Sequence, residues 1–348
     1  MEINTEFRKK LTWIASLTTL IASIALFSAM YAYAENKTVI INDATEEAAE
    51  EEKNESYRFT VPIKSDKNAV YLSVPHPEIT DDKISVVCKY GEKHLLIGFK
   101  TDRDNFFYNK KPHGNFTGIT ECTGDYNGKE LTYDFTLSDF QYPEIYYADE
   151  ELIVRLRPLS DLKAPVIMID PYYGGKEAGT IAGSAVEKDI LSKIAYKLDK
   201  MAQNKPYTLL FTRLGDGYVS MEERFDSVNI TKPDCYVGLK LSSDVSDVRQ
   251  FGMYASYNDD YYNEDFDGVD LADLLLRNVC TETKNKARGI VPADSETELI
   301  SGFSVPSVVL YAGFISNSEE ALLLQKDEYI ELIARGMIKS FDEIYGDK

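Results

Sequence analysis

The sequence predicts two regions of different class: an α/β domain over residues 165–348, with a mostly parallel sheet flanked by helices, preceded by a β-sandwich over residues 57–158. Three observations predict it. Before residue 158, short runs alternate apolar and polar residues with a period of two. After it, the rhythm changes to strand, helix, strand. A chain of 348 residues, 44% apolar and 28% charged, also has material for about two ordinary domains.

In the first region the alternating runs are Tyr57-Arg58-Phe59-Thr60-Val61, Ala69-Val70-Tyr71-Leu72-Ser73-Val74, Ile84-Ser85-Val86-Val87-Cys88 and Leu95-Leu96-Ile97-Gly98-Phe99. Leu131-Thr132-Tyr133-Asp134-Phe135-Thr136-Leu137 and Glu151-Leu152-Ile153-Val154-Arg155-Leu156 continue the series. Turns rich in Asp, Asn, Lys and Gly break it, the pattern of an antiparallel sandwich. The 24 Tyr and 16 Phe fit such strand-rich structure.

In the second region residues 166–170 read as a strand. Ile190, Leu191, Ile194 and Leu198 fall at helical spacing within 187–203. A strand over 207–212 follows, then a helix from 221 with Ser220 as its N-cap. Strands over 235–240 and 251–257, a helix over 269–283, a strand over 307–312 and a last amphipathic helix ending near Tyr345 complete the alternation of a layered α/β fold.

The N-terminus places these regions outside the cytoplasm. Arg8, Lys9 and Lys10 precede an uncharged run over 11–34, long enough to span a bilayer at roughly 20 residues. It ends in Ala32-Tyr33-Ala34, a small-x-small pattern of the kind a signal peptidase cuts, so residues 1–34 are a signal peptide or a membrane anchor. The length of the run favours the anchor. Residues 35–56, with Glu46, Glu47, Glu50, Glu51 and Glu52 and little to bury, read as an acidic linker. With 38 Lys plus Arg against 58 Asp plus Glu, a net charge of -20, nucleic acid is excluded as a partner.

In an exported chain, Cys88 with Cys122 and Cys235 with Cys280 are disulfide candidates that the sequence alone does not pair. No Cys-x-x-Cys pattern exists, which disfavours a cysteine-based zinc site. Asn263-Glu264-Asp265-Phe266-Asp267-Gly268 is spaced like a calcium loop, but Leu274 stands at its twelfth position where a bidentate Glu is needed. The segment reads instead as an acidic lead into the helix that carries Leu271, Leu274 and Leu275.

Five ordered motifs give the second region a resemblance. Val166-Ile167-Met168-Ile169-Asp170-Pro171 is followed by Gly174-Gly175; Glu187-Lys188-Asp189-Ile190 opens a helix; Thr212-Arg213 ends a strand. Ser220-Met221-Glu222-Glu223-Arg224 starts the next helix, and Gly313-Phe314-Ile315-Ser316-Asn317 forms a late turn. In this order they resemble the zinc-dependent N-acetylmuramoyl-L-alanine amidases (type 3 amidase domain), which cut between the glycan and the stem peptide of peptidoglycan. The resemblance spans residues 165–345, about half of the chain.

That resemblance implies a zinc held by two His and a Glu, with a second Glu as catalytic acid/base. Here the first His position is Tyr173, after Tyr172 in place of a Gly, and the second is Lys240. The ligand Glu is present as Glu187, and the catalytic Glu position is Tyr311. A protonated lysine and a neutral phenol do not supply what a catalytic zinc requires. The chain's histidines, His76, His94 and His113, all precede residue 114. Donation from them across domains is disfavoured, because metal ligands need rigid placement.

The expected cleft therefore has no zinc, no cofactor and no catalytic residue. Glu187 and Lys240 are expected to form a salt bridge, with Tyr173 and Tyr311 filling the vacated volume. Tyr172, Arg213 and Arg224 join them as candidate ligand-binding residues, the two arginines either gripping a carboxylate or pinning the strand and helix ends.

The leading expectation is an exported, membrane-tethered pseudoamidase that binds peptidoglycan or a cell-wall or envelope protein. A working amidase with an altered site built on Glu187, Lys240 and a tyrosine, and an envelope scaffold whose cleft binds nothing, are the alternatives.

Overall fold

The computed structural model describes residues 57–58, 71–75, 83–101, 112–115, 118–148, 151–162, 165–294 and 299–346. The expected signal or anchor, the acidic linker and His76 lie outside these residues. Backbone contacts divide the chain into Met1–Tyr57 and Arg58–Lys348, and the second unit is described by itself. No helix among the described residues is long and apolar enough to cross a membrane.

After the two-residue strand β1 (Tyr57–Arg58), the β-rich region contains β2 (Tyr71–Pro75), β3 (Ile84–Lys89), β4 (His94–Lys100), β5 (His113–Asn115), β6 (Ile119–Tyr126), β7 (Glu130–Leu137), β8 (Gln141–Ala148) and β9 (Glu151–Pro158). They form two antiparallel sheets. One runs β6-β7-β4-β3 and the other β5-β2-β9-β8. Alternation does here what the period predicts: β7 buries Leu131, Tyr133, Phe135 and Leu137 on one face, and β9 buries Leu152, Val154 and Leu156. Strands β5, β6 and β8 have no counterpart among the runs read from sequence. β8 carries Pro143, which a sheet tolerates on an edge strand, and β8 is an edge.

The α/β region contains β10 (Val166–Pro171), a small hairpin of β11 (Ile181–Ala182) and β12 (Ala185–Val186), α1 (Glu187–Ala202), β13 (Thr208–Phe211), β14 (Arg213–Leu214) and α2 (Met221–Thr231). β15 (Cys235–Ser242), β16 (Met253–Tyr257), α3 (Gly268–Thr283), β17 (Ala287–Pro292), β18 (Ser307–Phe314), α4 (Ser318–Leu324) and α5 (Asp327–Tyr345) follow. Its sheet has the order β13-β10-β15-β18-β16-β17, parallel except between β16 and β18. β10 and β18 are buried at every residue, as parallel strands covered on both faces must be. Helices α1, α3 and α5 supply the apolar cover through residues such as Ile194, Leu275 and Met337, all fully buried.

Local chemistry sets the helix starts. Ser220 and Glu223 form a capping box at α2, Asp267 and Asp270 form another at α3, and Asn317 caps α4. The acidic segment before Gly268 is thus a helix lead. The last helix expected from sequence, ending near Tyr345, is α5, and the short α4 before it has no counterpart in the sequence reading.

One expectation is corrected. The four cysteines are separate buried thiols, Cys88, Cys122, Cys235 and Cys280, with burial pushing Cys88 and Cys235 up to about 12. The two regions also share a sheet. β14 pairs antiparallel with β3, Arg213 opposite Val87 and Leu214 opposite Val86, so a strand of the α/β region closes a sheet of the β-rich region.

Candidate functional site

The candidate cleft lies where β10, β15 and β18 end, the usual place for ligands in α/β sheets. β10 ends at Pro171 and leads into Tyr172 and Tyr173, while β15 carries Lys240 and β18 carries Tyr311. The turn after β10 is tight: Tyr173, Gly174 and Gly175 all have positive φ, at 64°, 122° and 53°. The Tyr172 N–H donates to the Leu239 carbonyl (3.1 Å), which holds the turn against β15.

Lys240 and Tyr311 are register partners on neighbouring parallel strands. The Lys240 ammonium lies 5.3 Å from the ring centroid of Tyr172 and 5.5 Å from that of Tyr311. Both distances are within cation–π range. Tyr254 of β16 stacks on Tyr311 with centroids 4.2 Å apart and planes inclined by 8°. The half-buried ammonium thus sits among aromatic rings rather than against an acid.

Glu187 opens α1 and is fully buried. Its Oε1 accepts from the Leu241 N–H (2.6 Å) and its Oε2 from the Thr180 N–H (2.8 Å). Burial raises the Glu187 carboxyl above its ordinary range, against the downward pull of those N–H groups and of the Lys240 charge. Burial, then the Glu187 charge, raises the Tyr173 phenol. The expected Glu187–Lys240 salt bridge takes a different form: two backbone N–H groups and the Thr180 side chain hydrogen-bond the carboxylate, and Lys240 acts on it through its field. Gly179, absent from the sequence reading, makes this closeness possible. A Cβ there would lie 2.8 Å from both Glu187 Oε2 and Tyr173 Cδ2.

Of the two readings of Arg213 and Arg224, the geometry gives the scaffold one. Arg213 is 1% exposed. Its Nε donates to the Pro171 carbonyl, its Nη1 to Ser192 Oγ and the Gly215 carbonyl, and its Nη2 to the Tyr172 and Lys188 carbonyls. Every donor of the guanidinium is used, which leaves none for a ligand. Burial, then the neighbouring Arg224 charge, lowers it to about 10. Arg224, also buried, pairs with Asp170 and donates to the Tyr173 carbonyl (3.3 Å). Fully buried Asp170 also accepts from Thr212 Oγ1 (2.5 Å) and the Tyr236 hydroxyl. This network fixes the end of β10 and the turn that follows it. Beside the two arginines, Asp170 and Thr212 showed in the sequence as motif members without a role, and Tyr236 did not.

Of the histidines, His94 pairs with Asp134 (2.7 Å) and His113 approaches Glu151 (3.6 Å), both within the β-rich region.

A family model described as N-acetylmuramoyl-L-alanine amidase matches residues 167–343, just over half of the 348-residue chain. The chain is 24% identical over 201 residues to the uncharacterized protein YqiI of Bacillus subtilis (strain 168), covering 56% of this chain and 93% of that protein. It is 24% identical over 203 residues to the germination-specific N-acetylmuramoyl-L-alanine amidase of the same organism, covering 54% of this chain and 82% of that protein. Among solved structures it is similar to an N-acetylmuramoyl-L-alanine amidase from Clostridium difficile 630, with 25% identity, 53% of this chain and 99% of that one covered, and a TM-score of 0.48. The matched segment contains Tyr172, Tyr173, Glu187, Lys240 and Tyr311, and the chain belongs to the N-acetylmuramoyl-L-alanine amidase family.

Proposed function

We propose that this chain is an exported cell-wall protein whose amidase cleft binds peptidoglycan, or a protein of the wall or envelope, without zinc and without hydrolysis. The observation that carries this reading is the Lys240 ammonium placed between the rings of Tyr172 and Tyr311. The family resemblance puts a zinc ligand at the lysine and the catalytic acid/base at Tyr311. A fixed cation already occupies that neighbourhood, and no carboxylate stands where a proton would be taken up or delivered.

The donor chemistry supports the same reading. Among the described residues no group of three His, Cys, Asp or Glu side chains is placed to hold a metal ion. Of the three positions that correspond to zinc ligands, Glu187 alone is of ligand type. These residues do not offer zinc the donors it needs.

Export rests on the basic flank and uncharged run of residues 1–34, and a wall location suits a family whose relatives include a probable cell wall amidase of Staphylococcus aureus. The two antiparallel sheets before residue 158 are proposed to pack as a β-sandwich.

Zinc analysis of the purified protein, before and after incubation with zinc, together with a muropeptide-release assay and a pull-down on purified sacculi, tests the proposal. Retention on sacculi without zinc uptake or release is expected. Stoichiometric, tightly held zinc accompanied by release would establish the altered-site amidase instead. Absence of retention, with no release, would favour the scaffold.

A further inference from the structure

The segment Arg213–Tyr218 touches the β-rich region on one side and the first turn of the cleft on the other. On the first side, β14 pairs with β3, and a Cβ on Gly217 would run into the Val87 side chain. On the other, a Cβ on Gly174 would run into the Gly217 carbonyl, and one on Gly175 would lie 2.9 Å from Tyr218 Cβ.

One side chain joins the two sides. Asp216 Oδ2 takes the Lys100 ammonium of β4 at 2.8 Å, and its Oδ1 accepts from the Gly175 N–H at 2.9 Å. Lys188 of α1 closes the ring, 2.8 Å from Asp216 Oδ1 and 2.8 Å from the Gly175 carbonyl. Asp216 is largely buried, with 14% of its side chain exposed, whereas Lys100 is 46% exposed. Burial alone would raise the Asp216 carboxyl, but the bonds from Lys100 and Lys188 outweigh it and hold it below its ordinary value.

Two further ties run the same way. Lys89 of β3 pairs with Glu223 (2.9 Å), the capping-box residue of the helix that carries Arg224. The Tyr196 hydroxyl of α1 donates to the Ile84 carbonyl (2.6 Å). The β-rich region therefore contacts three elements beside the Tyr172–Tyr173 turn: the 213–218 segment, α1 and α2.

We propose that the β-rich region is a positioning part of the cleft rather than a detachable module: through Lys100 it holds Asp216, and Asp216 is the positioning residue that sets the Tyr172–Gly175 turn. The state of one region is then coupled to the shape of the binding site in the other. The proposal rests on these contacts alone, so it stands or falls separately from whether the cleft binds peptidoglycan.

The test is backbone hydrogen exchange on the full chain. In Lys100→Met, exchange over residues 172–180 is expected to rise about threefold, as suits loss of one partly exposed pair. In Asp216→Asn it is expected to rise about tenfold or more, because the Gly175 N–H and Lys188 lose a charged partner. Lys100→Arg should restore the wild-type rate, and Lys100→Met should add nothing in the Asp216→Asn background. Unchanged exchange over 172–180 in Lys100→Met, whatever Asp216→Asn does, would overturn the proposal. So would an increase shared equally by β16 and β17, since that reports lowered global stability rather than a positioned turn.

Discussion

Lys240 and Tyr311 face each other across the β15–β18 pairing, and the ammonium of one lies 5.5 Å from the ring centroid of the other. The charge at this point also reaches Glu187, where it lowers a carboxyl that burial has raised.

Lys240→Met tests both effects. Loss of the ring contacts should cost about 0.5–2 kcal/mol at any pH. Loss of the charge lets the Glu187 pKa climb further. A carboxyl raised in the folded state contributes stability that is full below its unfolded pKa, about 4.3, and is lost as pH rises through the folded value. The variant should therefore lose more stability at pH 7 than at pH 4, seen by urea denaturation at the two values. An equal deficit at both would show that Glu187 does not feel Lys240.

Arg224→Leu should be among the most destabilising substitutions in the chain. It strands fully buried Asp170, whose remaining partners Thr212 and Tyr236 are neutral donors. Removing one member of a buried pair costs about 3–5 kcal/mol. Chemical denaturation measures it, and a loss below 1 kcal/mol would mean that the network relaxes around the carboxylate.

Much of this site was legible from residue order. The strand ends were marked by Asp170-Pro171, Thr212-Arg213 and Gly313-Phe314, and Glu187 by its place at the start of an amphipathic run. What escaped was non-local. The pairing of Arg213 and Leu214 with Val87 and Val86 joins segments more than a hundred residues apart, and two residues carry no periodicity. β17 is exposed at nearly every position and shows no alternation, so only its neighbour β16 defines it. The Glu187–Lys240 salt bridge was expected because a buried carboxylate needs compensation. That principle held, but the partners are two backbone N–H groups and the Thr180 side chain, and a side-chain sequence pattern does not display the backbone groups.

Gly336 sits inside α5, where alanine would ordinarily gain about 1 kcal/mol. Here the sign reverses. A Cβ would lie 2.5 Å from Val279 Cα and 2.9 Å from Val279 N on α3, both backbone atoms that yield only if the helices separate. Gly336→Ala should cost about 1–3 kcal/mol, read as a lower melting temperature. A rise in melting temperature would mean that the two helices have slack.

The proposed zinc-free cleft is also testable in the opposite direction. Tyr173→His with Lys240→His would return two imidazoles to the positions flanking Glu187, giving three donors of zinc-binding type. Tyr173 has φ 64°, a region histidine enters more readily than most residues, so the backbone need not move to accept it. Glu187 accepts from the Leu241 and Thr180 N–H groups and from the Thr180 side chain, which does not exhaust the roughly four lone-pair sites of a carboxylate. The double variant should retain zinc at about micromolar affinity or better, near 8 kcal/mol. At a hundredfold excess over Kd, the metal should then stabilise the fold by about 2.7 kcal/mol. Wild-type protein under the same zinc should show no thermal shift. An equal shift in both would mean that the native residues already gather enough donors, and the proposal of a zinc-free cleft would fall.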